Sequence, residues 1–220
     1  MRYWGYLGTT APLSLLVALA AVMPTFFILA QPTPAIAEAN VKGSQTTSFR
    51  LAQAIPAHPA LAADVLVEIN RVRTNPTAYA DWLESLNSYY EGNVLALPGE
   101  DRIRTHEGVG GLSDAIALLR AMQPLPPITL SAGMSQAAED HVADTGSQGL
   151  VGSVGTDGSS PGDRAKRYGT FKGGFVELVS YGKKTAAAVV FQLIINDGDP
   201  KRGLRGELLN PKTRFVGVAG

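Results

Sequence analysis

The stretch GLVGSVGTDGSSPGDR, residues 149–164, contains the chemistry of a tight turn followed directly by the start of a helix. The Thr-Asp-Gly sequence predicts the turn, because Gly158 can adopt a positive φ at no steric cost. Ser160 is the predicted N-cap, and the proline after it suits the first helical position. Asp163 is placed to complete the capping box, and its negative charge is favourable at the N-terminus of the helix dipole. Turn and cap chemistry therefore account for the stretch without any ligand.

A second stretch, RGLRGELLNP at residues 202–211, follows the first in the order typical of one family. Together the two stretches resemble the bacterial SCP-like form of the CAP superfamily (cysteine-rich secretory, antigen 5 and pathogenesis-related 1 proteins). Residues 68–84, EINRVRTNPTAYADWLE, resemble the opening helices of such domains. The resemblance covers Leu61 to Gly220. It implies an α+β fold, a three-layer α-β-α sandwich with a small antiparallel sheet.

The resemblance also implies a pocket with two histidines and two acids, and the sequence departs from that pattern. The histidine that usually precedes the G-x-D-G turn is replaced by Ser153, and the histidine of the usual G-H-R is replaced by Leu204. The acid of the family's G-E-N strand corresponds to Glu177, where Gly and Asn are replaced by Val176 and Leu178. The resemblance therefore implies a degenerate metal site.

Ligand chemistry argues against zinc at these positions. Zinc is bound by imidazole, thiolate or carboxylate groups. Leu204 has no ligand atom, the hydroxyl of Ser153 is a poor ligand, and the chain has no cysteine. His141 contributes an imidazole only if the fold brings it into the cleft. We expect no tight zinc site, no metal and no other cofactor.

Two of these candidate residues have competing interpretations. Alternation over a predicted strand at 175–180 places Glu177 on one face with Phe175 and Val179, where a carboxylate needs a partner. Glu177 is therefore either a buried structural acid or a functional acid in a cleft. His141 lies at the margin of an apolar helical face, which favours a packed, hydrogen-bonded histidine over a ligand.

The N-terminus has the pattern of an export signal. Arg2 precedes an apolar run from Ala11 to Ala30, and Ala35-Ile36-Ala37 offers a small-x-small cleavage pattern, which predicts cleavage after Ala37 or Ala39. The predicted location is secreted or periplasmic. An uncleaved membrane anchor is the alternative, because the run is long enough to enter a bilayer.

The chain therefore divides into a signal peptide (1–37), a disordered linker rich in small and polar residues (38–60) and a CAP-like domain (61–220). In the family, the segment corresponding to Gly217–Ala219 is normally followed by another strand. Since the sequence ends at Gly220, we expect a short C-terminus and a strand that lacks a neighbour, unless another strand covers its edge. A less stable domain or a degenerate gene product would also account for the short C-terminus.

Apolar spacing and breaker residues predict the other elements. We expect a surface loop at Ser88–Glu107 and surface or capping roles for Asn70 and Arg73. Helices are predicted from Leu61 to Val72, after a cap at Asn75, at Gly111–Met122, after a cap at Ser131, and at Lys183–Ile195, with a last strand at Phe215–Ala219.

Composition and motifs narrow the function. The formal net charge is +0 and no basic stripe is present, so the sequence offers no nucleic-acid surface. Ligand or partner binding without catalysis is the leading hypothesis, with a small apolar molecule, a glycan or a protein as ligand. A cell-envelope hydrolase with Glu177 as base and Ser153 as donor or nucleophile is the alternative, although no Ser-His-acid spacing or nucleophile elbow is visible. A purely structural exported protein is the third hypothesis.

Overall fold

The computed structural model describes residues 59–220, together with the backbone of residues 5–6 and 14–21. Its helices are α1 (Pro59–Thr74), α2 (Pro76–Ser85), α3 (Val109–Ala121), α4 (Ala132–Thr145), α5 (Pro161–Arg167), α6 (Ala186–Ile195) and α7 (Gly203–Leu208). Its strands are β1 (Gly5–Tyr6), β2 (Ser14–Ala21), β3 (Tyr90–Glu91), β4 (Val94–Leu95), β5 (Ile103–Arg104), β6 (Thr129–Leu130), β7 (Gly174–Tyr181) and β8 (Thr213–Ala219).

The main sheet separates two helical layers. Its strand order is β6-β8-β2-β7. On one face, Leu178 of β7 and Val216 of β8 join the main core with α1, α3 and α6. On the other face, Phe175 and Val179 of β7 pack with Met134 of α4. This arrangement confirms the predicted α+β three-layer sandwich, with one addition: β6 runs parallel to β8, whereas the other pairs of this sheet are antiparallel.

Local cap chemistry sets the helix starts as the sequence predicts. Asn75 accepts a hydrogen bond from the Ala78 amide at 3.3 Å. Ser160 and Asp163 form a complete capping box at the start of α5. The predicted start of α6 at Lys183 is wrong, because the helix is capped by Thr185 and begins at Ala186.

The segment predicted as a surface loop, Ser88–Glu107, is more ordered than expected. It contains β3, β4 and β5, which form a second small sheet with β1 in the order β1-β5-β4-β3. Leu95 and Ile103 are buried in the main core. These two apolar side chains anchor the segment, so a turn-rich composition does not make it a purely surface loop.

Arg73 of α1 is not a surface residue, contrary to expectation, and Asn70 is half-buried. The Asn70 side chain exchanges two hydrogen bonds with the backbone of Ile128, at 2.7 and 3.0 Å. Arg73 is fully buried. Its guanidinium donates to four carbonyl oxygens, those of Pro126, Leu208, Asn210 and Thr213, at 3.2, 2.8, 3.1 and 3.4 Å. A buried guanidinium is tolerated because these acceptors satisfy its donors.

The expected unpaired edge on the last strand is not found. β8 has β6 on one side and β2 on the other. Apart from residues 5–6 and 14–21, the predicted signal peptide lies outside the described residues, as does the predicted linker up to residue 58. The signal peptide therefore stays a prediction. None of the helices in the described part of the chain is long and apolar enough to span a membrane.

Candidate functional site

A buried charged pair joins α5 to β7. The Arg164 guanidinium donates to Glu177 Oε2 across 2.7 Å. The two side chains are only 2% and 3% exposed. Strand alternation turns Glu177 away from the main core and toward α4 and α5, which is the face that the sequence predicts for it.

His141 approaches the same pair from α4. Its side chain is 2% exposed, and its Nε2 lies 4.0 Å from Glu177 Oε1. The same nitrogen lies 2.9 Å from the carbonyl oxygen of Gly152. A carbonyl oxygen only accepts, so Nε2 carries a hydrogen in this arrangement. His141 is thus packed and hydrogen-bonded, as favoured from the sequence, and it faces the carboxylate of Glu177.

These buried side chains hold a loop that we call the clamped loop, residues 150–154. Arg164 Nη2 donates to the carbonyl of Ser153 at 3.0 Å, and Nη1 donates to the carbonyl of Ser159 at 3.0 Å. The hydroxyl of Tyr181, on β7, accepts a hydrogen bond from the Gly152 amide at 2.8 Å. Side chains from α4, α5 and β7 therefore fix three consecutive peptide groups of the loop, those between Val151 and Val154.

The clamped loop presents apolar side chains to solvent. Leu150, Val151 and Val154 are 44%, 55% and 66% exposed. Single exposed apolar residues are ordinary on protein surfaces, but three within five residues form a local patch. The patch stands on a backbone that the buried cluster holds in place.

The structure brings together three of the four candidate residues. Ser153 joins Glu177 and His141, but through its backbone carbonyl rather than its hydroxyl. Leu204 is the fourth candidate, and it packs against the main core instead. Val176 and Leu178 of β7 also contact that core. The Leu204 amide donates to Asn196 Oδ1 at 2.8 Å.

Sequence reasoning missed Arg164 and Tyr181. Arg164 follows the acid of the capping box, and its place one turn into α5 was a signal that it faces the sheet. Tyr181 lies two residues beyond Val179 on the same face of β7, so strand alternation was the signal there. Neither signal identifies the carbonyl groups that these side chains bind.

The geometry alone does not identify the family of this domain, but a comparison with protein-family models does. Residues 113–219 match the family model described as CAP, the cysteine-rich secretory protein family. This part of the chain is a CAP domain. Searches among curated proteins and among solved structures gave no match. The matched region includes α4, α5, β7 and β8, and so contains every residue of the clamped loop and its supports.

The residues of this CAP domain do not fit a zinc site. Glu177 Oε2 is engaged by a guanidinium at 2.7 Å, and His141 Nε2 by a carbonyl. The positive charge of Arg164 would repel a divalent cation placed beside the carboxylate. Across the described residues, no three His, Cys, Asp or Glu side chains come together as metal ligands. The donor set lacks the third and fourth ligands that zinc requires.

A second charged cluster lies beside Leu204. Arg202 donates to both carboxylate oxygens of Glu107 and to Asp114, while Arg205 donates to Asp114 at 2.8 Å. The hydrogen bond from Arg202 lowers the pKa of Glu107, and that from Arg205 lowers the pKa of Asp114. Because it ties α3 and its entry to α7, we interpret this cluster as structural.

Proposed function

We propose that this CAP domain acts by binding an apolar ligand on the clamped loop, without a tight zinc site and without catalysis. The ligand is a small apolar molecule or the apolar side chains of a protein partner; a glycan is the alternative. The exposure of Leu150, Val151 and Val154 on a backbone fixed at Gly152 and Ser153 carries the proposal. Nucleic acid is not a proposed partner, because the net charge is +0.

Fixing the loop favours binding for an entropic reason. A mobile loop loses conformational freedom when a ligand orders it, and that loss subtracts from the affinity. Here the hydrogen bonds of Arg164, His141 and Tyr181 have already ordered the peptide groups between the exposed valines. Binding residues on loops that a rigid scaffold positions are a common arrangement. Glu177 then serves as a positioning residue, since it holds the guanidinium that holds the loop.

The contacts of Glu177 weigh against the hydrolase alternative. A general base must reach the proton that it removes. The Glu177 side chain is 3% exposed, and one of its oxygens already accepts from Arg164. No hydrogen bond among residues 59–220 connects the Ser153 hydroxyl to His141, as nucleophilic catalysis would require. Peptidoglycan or ester hydrolysis that Glu177→Gln abolishes without unfolding the protein would favour the hydrolase instead.

Titration with the neutral fluorophore N-phenyl-1-naphthylamine tests the binding proposal. We expect saturable binding that weakens at least about tenfold in the double variant Val151→Ser, Val154→Ser, which corresponds to roughly 1.4 kcal/mol. The matched control is Val67→Ser on α1, because Val67 and Val154 are equally exposed, at 66%. Equal affinity in all three proteins would refute binding at the clamped loop and favour a purely structural role.

Calorimetry with zinc tests the proposed absence of a tight metal site. We expect no binding with a submicromolar Kd. Submicromolar binding that Glu177→Gln abolishes would refute the proposal. A gain of zinc binding only in the double variant Ser153→His, Leu204→His would support the assignment of both positions to lost ligands.

We further propose that the protein works outside the cytoplasm, as a secreted or periplasmic protein, with membrane anchoring as the alternative. The support is the sequence pattern of Arg2 followed by the apolar run Ala11–Ala30, which does not depend on cleavage. Cell fractionation of the full chain tests this location. Recovery only from the cytoplasm of an export-competent host would refute it.

A further inference from the structure

The strand β2 occupies the centre of the main sheet. Every residue of Ser14–Ala21 has an antiparallel partner on β7, from Ser14 opposite Tyr181 to Ala21 opposite Gly174. Leu16 to Ala21 also have antiparallel partners on β8. This apolar segment therefore pairs along both of its edges.

The neighbouring strands depend on β2 for most of their pairing. In the described part of the chain, β7 has no main-sheet neighbour except β2, and β8 otherwise pairs only with the two-residue strand β6. Without β2, the facing edges of two long strands would expose unpaired N–H and C=O groups in the middle of the sheet. The space between β7 and β8 is thus a groove that accepts a β-strand.

Packing prevents β8 from closing this groove by moving toward β7. The backbone of α4 presses on Gly217 so closely that a Cβ atom there would lie 2.1 Å from the carbonyl carbon of Met134. The amide of Val218 also donates to the Ser135 hydroxyl at 3.2 Å. On the opposite face, Val216 and Val218 are buried in the main core. β8 is therefore fixed from both sides.

We propose that Ser14–Ala21 is a permanent strand of the folded protein, which fills the β7–β8 groove of its own chain. The register with both neighbours and the fixed position of β8 support this occupant. The proposal has a consequence for processing. Cleavage after Ala37 or Ala39 would remove the strand, so this proposal excludes the cleavage that the N-terminal sequence pattern predicts. It is independent of ligand binding at the clamped loop.

Engineered cysteines give a direct test, because the chain contains no cysteine of its own. Two register pairs are suitable: Leu16→Cys with Val179→Cys, and Leu15→Cys with Ser180→Cys. Adjacent antiparallel pairs alternate between wide and narrow spacing, and both spacings lie within the Cα separation of a disulfide. The matched control is Leu16→Cys with Val176→Cys. Val176 pairs with Leu19, so this control is out of register by three residues, about 10 Å along the strand.

The full chain, with its own N-terminus, is produced in an export-competent bacterial host, purified, mildly oxidised and analysed by mass spectrometry. We expect the mass of a chain that includes residues 14–21 and an intramolecular disulfide in both in-register variants, at least about tenfold more abundant than in the control. Circular dichroism confirms that each variant is folded. A folded protein that begins at Glu38 or Asn40 would overturn the proposal. So would equal crosslinking in the control, or disulfides only between two chains, which would place the strand in a second copy.

Discussion

Neutralising one partner of the buried pair is the sharpest test of the cluster beneath the clamped loop. Glu177→Gln keeps the volume of the side chain but leaves Arg164 buried with an uncompensated charge. Breaking a buried ion pair from one side costs about 3–5 kcal/mol. The lower end applies here, because Arg164 still donates to the carbonyls of Ser153 and Ser159 and the glutamine oxygen still accepts. We expect a loss of about 3 kcal/mol, or roughly 6–12 °C in Tm for a chain of this size.

A double-mutant cycle separates the pair from the packing around it. The single variants Glu177→Gln and Arg164→Met are compared with the double variant by urea unfolding, followed by circular dichroism. We expect the double variant to be about 2 kcal/mol more stable than the two single losses predict together, because removing both charges removes the uncompensated one. The control is Arg167→Met, three residues along α5. Its exposed ion pairs with Asp140 and Asp157 predict a loss below about 1 kcal/mol.

Two results would refute this reasoning. The first is a loss in Glu177→Gln no larger than that in Arg167→Met, since a buried and an exposed pair would then be equivalent. The second is strict additivity in the cycle. The clamp itself has a separate readout: amide hydrogen exchange at Gly152 should accelerate in Arg164→Met and stay unchanged in Arg167→Met.

Three further changes test other parts of the structure. Arg73→Met should cost about 3–5 kcal/mol in urea unfolding, because it leaves the buried carbonyl groups of Leu208 and Thr213 without their donor; a loss below about 1 kcal/mol would contradict a stabilising role for these hydrogen bonds. Gly217→Ala should prevent folding or lower the Tm strongly, because its Cβ would meet the backbone of α4 at 2.1 Å, whereas Gly206→Ala, with open space around its Cβ, should be neutral or stabilising. The lowered pKa of Glu107 means that its bond with Arg202 contributes stability above the unfolded pKa of about 4.3, and this contribution is lost as the pH falls through the folded pKa. Glu107→Gln should therefore flatten the decline of the unfolding free energy between about pH 5 and pH 3, and an unchanged slope would exclude the carboxylate as its source.

The sequence was most informative where structure depends on neighbouring residues. Ser160 caps α5 because its hydroxyl and the Asp163 carboxylate are only three residues apart, so the motif itself contains both partners. The same holds for Asn75 before α2. The predicted alternation of Phe175, Glu177 and Val179 also follows from strand geometry alone, and it correctly placed the acid away from the main core.

Residues whose partners are distant in sequence were the ones that the sequence left undecided or misplaced. Arg73 resembles an ordinary basic residue at the end of a surface helix. Its acceptors Leu208 and Thr213 are 135 and 140 residues away, so no local pattern indicates that it is buried. Ser153 was considered for its hydroxyl, yet its backbone carbonyl makes the contact with Arg164. A motif records side chains and cannot indicate which peptide group a distant guanidinium will meet.

By itself, therefore, the sequence determined the helix caps, the turn at Gly158, the two faces of β7 and the CAP family that its motifs indicate. These features depend on interactions within one turn of helix or one strand, where the chain connectivity already holds the partners together. Only the tertiary structure decided that Arg164, Glu177 and His141 meet beneath the clamped loop, and that Ser14–Ala21 lies between β7 and β8. Those contacts exist because packing the helical layers onto the sheet brings remote segments together, and burial then favours a partner for each polar group. The pairing in this cluster is incomplete, since Glu177 Oε1, His141 Nδ1 and Arg164 Nε are buried without a hydrogen-bond partner among the described residues.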